Sequence, residues 1–97
     1  MINAKIYEYE AQIHSAGVGG GGTYVPFPYD IHKEFGKGRV RVNATFDGEP
    51  YQGNIVNMGV KNPDGSICYI IGILKAIQEK IGKYPGDTVK VVVRERA

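Results

Sequence analysis

The apolar side chains along this chain are distributed mostly as they are in β-strands. Two segments alternate apolar and polar residues with a period of two, which is typical of a strand with one buried face. Three more are predicted on other grounds: a short strand is stopped by prolines, another returns from a hairpin turn, and the last is strongly β-forming and follows a tight turn. Another is almost entirely apolar, which predicts a strand buried on both faces. In chain order, the predicted strands span residues 5–14, 23–27, 39–47, 51–58, 66–71 and 88–94.

Two short helices are predicted between these strands. Asp30 is positioned to cap the first, because its carboxylate can accept hydrogen bonds from early backbone N–H groups. Ile31 and Phe35 lie four positions apart and share one face of that helix. In the second helix, Ile77 and Ile81 have the same spacing. A glycine ends each helix, at Gly36 and Gly82.

Glycine, proline and aspartate mark the predicted turns. Asp47 and Gly48 form a strong signal for a two-residue β-hairpin. Residues 85–87 form a second tight turn before the last strand. Gly53 lies inside a predicted strand and indicates a bulge or a close approach of another group. Residues 15–22 predict a flexible glycine loop.

These elements occur in the order strand, strand, short helix, strand, given twice. The segment from Ile31 to Val42 also aligns with the segment from Ile77 to Val91, if three residues are inserted before the second strand. Matches this short arise by chance as well as by duplication, and a duplication would relate two similar halves by a pseudo-twofold axis. We expect a mainly β fold, namely a small closed barrel of roughly six strands with two short helices, in one domain over residues 1–97.

Composition narrows the class of protein. Hydrophobic residues make up 42% of the 97 positions and charged residues 23%, which is ordinary for one soluble domain. No apolar run approaches the roughly 20 residues that cross a bilayer, and the first residues show no signal-peptide pattern. The single cysteine, Cys68, cannot form an internal disulfide, so we expect a cytoplasmic protein without membrane association.

The charge of the chain is mildly basic. A net charge of +2 and a pI of about 8.7 fall below the pI above ~9 that marks a dedicated nucleic-acid-binding domain. Two predicted strands nevertheless concentrate basic residues, and they form a basic face if the strands are neighbours. Pairing with Glu8 and Glu10 of the first strand would instead give a mixed surface. The basic residues are Arg39, Arg41, Lys90, Arg94 and Arg96.

Three lysines near helix ends and two tyrosines are the candidate ligand-binding residues. Lys37 and Lys83 follow the helix-ending glycines, where a cation either compensates the helix dipole or flanks the mouth of the barrel. Lys75 lies near the start of the second helix, where a cation opposes the dipole. That position leaves three interpretations open: an anionic ligand, a carboxylate partner or plain solvation. Tyr51 and Tyr69 could line a pocket with it.

No catalytic or metal-binding constellation is visible in the sequence. The G-x-G-x-x-G match at residues 17–22 is not followed by a predicted helix, so it presents no helix N-terminus to a pyrophosphate. His14 and His32 have no second His or Cys at metal-ligand spacing. Cys68 lies in the most apolar strand without a base nearby in sequence, which predicts an inert buried thiol. We expect neither a cofactor nor a metal.

A longer pattern, from Thr23 to Val93, resembles the domain of unknown function 1905 family. The resemblance implies a small closed β-barrel with short helices, in a bacterial or archaeal cytoplasmic protein without an assigned activity. At Gln78 relatives are expected to carry an arginine, so any ligand contact made by that arginine is missing here. The resemblance depends on the order and spacing of several residues: Pro26 or Pro28, Gly36, Asp47, Gly48, Tyr51, Gly53, Lys75, Gly82, Gly86 and Asp87.

The joint of Gly86 and Asp87 before the last strand is also similar to the Gly-Asp box of cradle-loop barrels. That superfamily includes DNA-binding transcription factors, enzymes and adaptor domains. The similarity therefore supports a fold and no particular function.

Three functions remain open from the sequence. The leading hypothesis is a non-catalytic binding module for an anionic ligand, a nucleic acid or a protein partner. The second is an enzyme, or an enzyme's accessory subunit, with a pocket at the barrel mouth formed by Lys75 with Tyr51 or Tyr69. The third is a structural domain that forms a homodimer. The missing catalytic constellation favours a protein that is not an enzyme.

Overall fold

The computed structural model describes residues 5–15 and 22–96, so most of the predicted glycine loop lies outside the described residues. The described part of the chain is mainly β, with seven strands and two short helices. In chain order these are β1 (Ile6–Gln12), β2 (His14–Ser15), β3 (Thr23–Phe27), α1 (Ile31–Phe35), β4 (Val40–Phe46), β5 (Glu49–Val56), β6 (Tyr69–Ile73), α2 (Lys75–Ile81) and β7 (Thr88–Glu95).

The predicted closed barrel of six strands is wrong. The seven strands form one antiparallel sheet in the order β1-β7-β4-β5-β6-β3-β2, which curves into an open half-barrel. The predicted first strand is split at Ile13, so that β1 pairs with β7 while β2 pairs with β3. Ile13 lies just beyond the end of the β1–β7 ladder, where its N–H donates to the carbonyl of Asp87 and its carbonyl accepts from the N–H of Gly86. The Gly86–Asp87 joint therefore fixes the corner at which the first strand changes partner.

The core fills the concave side of the half-barrel. Alternate residues of β4 and β7 point into it, as the predicted period of two requires for β4. The strand β6 is buried on both faces at Tyr69, Ile70 and Ile71, as its apolar sequence indicates, although it begins three residues later than predicted. Tyr7, Phe27 and Phe35 add an aromatic cluster with ring centroids 5.4–6.2 Å apart.

The predicted caps and turns are present. The carboxylate of Asp30 accepts hydrogen bonds from the backbone N–H groups of His32 and Lys33. Gly36 and Gly82 both adopt φ of 69°, a left-handed conformation that suits glycine at a helix C-terminus. None of the helices in the described residues is long and apolar enough to cross a membrane.

The strand register obeys a pseudo-twofold relation between the two halves. Alignment of the helices offsets the halves by 46 positions, from Ile31 to Ile77, and alignment of β4 with β7 offsets them by 49. On a twofold axis, a residue must pair with its own equivalent. Val25 pairs with Ile71, which is 46 positions away, and Ala44 pairs with Val93, which is 49 positions away. Two independent ladders therefore carry the symmetry that the sequence match indicated.

Candidate functional site

The four arginines of the sequence lie together at one end of the convex sheet surface. β4 and β7 are neighbours, and the backbone N–H of Arg96 donates a 2.8 Å hydrogen bond to the carbonyl of Arg41. Arg41 and Arg94 point outward from β4 and β7. Arg39 directly precedes β4, two positions from Arg41, and Arg96 directly follows β7, two positions from Arg94. We call this set the arginine face; it consists of Arg39, Arg41, Arg94 and Arg96.

None of these arginines forms an ion pair with a described residue. Each of the five ion pairs found there uses a lysine instead: Lys5 with Glu34, Lys37 with Glu95, Lys80 with Glu49, Lys83 with Asp47, and Lys90 with Glu8. The carboxylates that form ion pairs in the described residues thus neutralise lysines, and the guanidinium charges of the arginine face remain available to another anion.

The arginine face carries an electrostatic cost in the absence of an anion. Like charges directly across a strand pair are destabilising by up to about 1 kcal/mol, and Arg41 lies across from Arg96. The Nε atom of Arg96 is buried and has no hydrogen-bond partner among the described residues. A phosphate or carboxylate bound at the surface would offset the repulsion between Arg41 and Arg96, because guanidinium groups bind such oxygens in a fork geometry.

Neutral polar side chains flank the arginine face. Asn43 lies opposite Arg94 in the β4–β7 ladder, and Asn54 lies opposite Arg41 in the β4–β5 ladder. A shallow cleft of about 450 Å³ crosses the same surface. The cleft is lined by Ile6, Asn43, Ala44, Thr45, Pro50, Tyr51, Gln52, Val92 and Arg94.

Lys90 was predicted to belong to the same basic face as the arginines, but it lies apart from them on β7. It is four positions from Arg94, which corresponds to about 13 Å along a strand. Its Nζ lies 3.8 Å from a carboxylate oxygen of Glu8, and Glu10 is its direct partner across the β1–β7 ladder. The surface around Lys90 is therefore mixed in charge, which agrees with the alternative of cross-strand pairing with Glu8 and Glu10.

Lys37 and Lys83 occupy equivalent places in the two halves and make equivalent contacts. Lys37 forms an ion pair with the buried carboxylate of Glu95. Lys83 lies 3.4 Å from Asp47 and donates a 2.7 Å hydrogen bond to the carbonyl of Thr88. Each lysine thereby joins its helix end to an acidic residue beyond its own half, so these contacts support a structural role.

Lys75, Tyr51 and Tyr69 are not brought together. Lys75 lines a cleft of about 440 Å³ with Thr23 and Gln78. Tyr51 lines the cleft of the arginine face, and its ring lies 5.9 Å from that of Phe46. Tyr69 lines a third cleft, of about 290 Å³, between the β3–α1 connection and the loop before β6. The pocket predicted from Lys75 with either tyrosine is therefore not assembled.

Two buried groups near the third cleft have perturbed acidity. Burial raises the pKa of the Tyr9 hydroxyl far above its ordinary value of 10.0, and Tyr29 and Cys68 raise it further. That hydroxyl has no hydrogen-bond partner among the described residues. Burial also raises the pKa of the Cys68 thiol, which is 8% exposed. Both groups are thus neutral at physiological pH, and Cys68 fits the predicted inert thiol.

Some of these features left no signal in the sequence. The orphan hydroxyl of Tyr9 is one, because Tyr9 reads as one more inward residue of an alternating strand. The open third cleft is another, because it depends on a loop and a helix start that are about 35 positions apart in the chain. Among the described residues, no group of three or more His, Cys, Asp or Glu side chains could hold a metal ion.

Comparison with known proteins identifies the family. A search of curated proteins gives no match. The family model described as "Domain of unknown function (DUF1905)" matches residues 9–93, which is nearly the whole chain. The chain therefore belongs to the DUF1905 family.

Proposed function

We propose that this domain is a non-catalytic binding module that holds nucleic acid through the phosphate backbone on its arginine face. The observation that carries the proposal is the separation of the basic residues. Lysines make every ion pair of the described residues, while the four arginines lie side by side without a carboxylate. A surface selected only for solubility would gain by interspersing the two signs of charge.

The shape of the arginine face suits an extended polyanion. Arg39 and Arg94 stand at its two ends, roughly 13 Å apart along the strand direction by the rise of a β-strand. Arg41 and Arg96 lie between them on adjacent strands. A stripe of this length can contact several consecutive phosphates, and the amides of Asn43 and Asn54 can donate further bonds to phosphate or sugar.

The modest net charge agrees with a binding mode limited to one surface. A charge of +2 for the whole chain gives little long-range attraction. Local contact by arginines then supplies the affinity, and such contacts weaken steeply as salt rises because counterions are released on binding. We expect weak binding at physiological salt and clear binding at low salt.

The other two hypotheses have less support. The enzyme hypothesis required Lys75 and Tyr51 or Tyr69 in one pocket, and these residues line separate clefts. The homodimer hypothesis stays a prediction, which light scattering tests.

Fluorescence anisotropy with labelled single-stranded and duplex oligonucleotides tests the proposal. Binding at low salt that weakens on addition of salt, and that is lost in the double variant Arg41→Gln/Arg94→Gln, supports it. A charge-matched control is Lys33→Gln/Lys80→Gln, which removes two charges from the helices α1 and α2. Indifference to DNA and RNA at low salt, or equal loss of binding in both double variants, overturns it.

A further inference from the structure

The pseudo-twofold relation makes two of the clefts equivalent. The offset of 46 positions takes Phe27 to Ile73, and it takes Tyr29 to Lys75. The first residue of each pair lines the cleft of about 290 Å³, and the second lines the cleft of about 440 Å³. Each cleft thus lies where a strand passes into a helix, once in each half.

The polar groups of one cleft satisfy each other. Gln78 is buried, and its side-chain Nε2 donates a 2.6 Å hydrogen bond to the hydroxyl of Thr23. That hydroxyl in turn donates a 2.9 Å bond to the carbonyl of Ile73. These two bonds satisfy the Gln78 amide and the Thr23 hydroxyl, which both line this cleft.

In the other cleft, the equivalent side chains do not form hydrogen bonds with each other. The offset takes Thr23 to Tyr69, and it takes Gln78 back to His32. The rings of His32 and Tyr69 are 6.3 Å apart. Tyr69 is only 5% exposed as a residue and lines the cleft. Its hydroxyl is not one of the buried side-chain atoms left without a partner in the described residues, so it meets the solvent of the cleft, where an incoming group can bond to it.

The walls of the open cleft are flat and apolar. Phe27, Pro28, Tyr29 and Tyr69 line it, and the rings of Phe27 and Tyr29 meet edge to face at 5.3 Å. Its volume of about 290 Å³ lies near the lower limit of small-molecule pockets, roughly 300 Å³. Flat aromatic walls of this kind favour a planar guest, which they can contact face to face or face to edge.

The polar lining consists mainly of hydrogen-bond acceptors. Asp30 lines the cleft, and its carboxylate also accepts the two capping bonds of α1. Asn62 lines it too, and both hydrogens of its amide are already used, in bonds to the Ser66 hydroxyl and the Ile67 carbonyl. The Asn62 side chain therefore has its carbonyl oxygen left to offer. A guest that fits these groups carries N–H donors and no negative charge.

We propose that the cleft at Tyr69 binds a small, planar, uncharged or cationic heteroaromatic molecule through N–H donors on its edge, with the Tyr69 hydroxyl completing the contact. This site is distinct from the arginine face in charge preference, because the arginine face takes anions and the cleft rejects them. The asymmetry between the two equivalent clefts is the observation behind it: one is closed by its own side chains, and the other is left open.

Titration of ¹⁵N-labelled protein with three probes tests this inference by NMR. Adenine is planar and carries an amino group, benzoate is planar and anionic, and cyclohexylamine is a non-planar amine. We expect adenine to shift the amide signals of residues 27–30 and 62–69, with a dissociation constant of roughly millimolar or tighter. Benzoate and cyclohexylamine are expected to leave those signals unchanged.

Two conservative variants separate binding from folding. Tyr69→Phe removes only the hydroxyl and is expected to weaken adenine about fivefold, the effect of one lost hydrogen bond. Asp30→Asn removes the charge but keeps the cap of α1, because asparagine caps helices as well as aspartate does. It is expected to weaken adenine while the amide spectrum stays that of a folded protein.

Three results would overturn the inference that the cleft at Tyr69 binds a planar heteroaromatic molecule. No shift in the two segments with adenine overturns the inference, as does equal binding of adenine by both variants and the wild type, or a preference for benzoate. The Arg41→Gln/Arg94→Gln variant is expected to bind adenine normally. Loss of nucleic-acid binding with intact adenine binding, or the reverse, therefore shows which of the two proposals fails.

Discussion

Arg41 and Arg96 lie side by side across the β4–β7 ladder, joined by a 2.8 Å backbone hydrogen bond. No described carboxylate forms an ion pair with either of them. A strand pair that places two like charges together is stabilised by removing one of them. We therefore expect a substitution that removes the charge of Arg41 to weaken nucleic-acid binding and to raise the free energy of unfolding.

Arg41→Glu tests that opposition. The new carboxylate would face Arg96 and form a favourable cross-strand pair, so we expect the free energy of unfolding to rise by about 0.5 kcal/mol. Nucleic-acid binding should be lost in the same variant. Urea denaturation and anisotropy measure the two effects, with Arg41→Gln as the neutral reference. A variant that is less stable than wild type would show that Arg41 has a structural partner and would contradict the account.

Tyr9→Phe removes a hydroxyl that forms no hydrogen bond with any described residue. At neutral pH we expect the free energy of unfolding to stay within about 0.5 kcal/mol of wild type or to rise, since no bond is lost. Tyr7→Phe is the matched control, because the Tyr7 hydroxyl donates a 2.9 Å bond to Glu34. That variant should lose about 1.5 kcal/mol, as expected for a bond to a charged group.

The same residue predicts a pH dependence at alkaline pH. Folding raises the pKa of Tyr9 above its ordinary value of 10.0. Between these two pKa values the unfolded chain has released a proton that the folded chain still holds, so stability falls as pH rises above about 10. Tyr9→Phe should show a shallower fall in denaturation midpoint over that range. Identical slopes for the variant and the wild type would mean that Tyr9 ionises freely in the folded protein.

Gly53→Ala should destabilise the fold, because a Cβ at this position would overlap the ring of Tyr51. The ring would have to leave its place against Phe46, and overpacking of this kind costs about 1–3 kcal/mol. Gly72 in β6 gives the control, because a Cβ there meets nothing closer than the Thr23 carbonyl at 4.0 Å. Thermal denaturation of the two alanine variants should differ clearly, and equal midpoints would refute the packing argument.

Lys37→Met tests the structural role inferred for Lys37 and its equivalent in the other half, Lys83. It leaves the buried carboxylate of Glu95 without its lysine, and we expect a loss of roughly 1–3 kcal/mol, reduced from that of a fully buried pair because Lys37 is half exposed. The double variant Lys37→Met/Glu95→Met should recover part of the loss, since two apolar side chains leave no charge behind. A single variant as stable as wild type in urea would return Lys37 to the list of candidate ligand residues.

Much of the local structure could be predicted from the sequence because it is determined locally. Alternation predicted β4, the β-forming composition of residues 88–94 predicted β7, and Asp30 caps α1 through residues two and three positions away. The hairpin at Asp47 and Gly48 needs positive φ at both residues, 49° and 86°, which this pair tolerates well. The register of the two symmetric ladders also agrees with the sequence match.

The features that could not be predicted depend on contacts between residues that are far apart in the sequence. His14 continues the alternation of the first strand, so no local pattern marks the break at Ile13, which is imposed by Gly86 and Asp87. Likewise the predicted strand at residues 66–71 loses its first three positions, because the N–H of Cys68 bonds to the carbonyl of Val60 in the preceding loop. The pairing of Lys37 with Glu95 spans 58 positions and has no sequence signature.

The salt dependence of nucleic-acid binding tests the central proposal most directly. The slope of log affinity against log salt counts the phosphates neutralised, at about 0.7 per contact for a single strand and 0.9 for a duplex. We predict that Arg41→Gln/Arg94→Gln lowers the magnitude of the slope by about 1.4 for a single strand or 1.8 for a duplex, while Lys33→Gln/Lys80→Gln leaves it unchanged. An unchanged slope in the arginine variant would contradict the assignment of the arginine face as the binding surface.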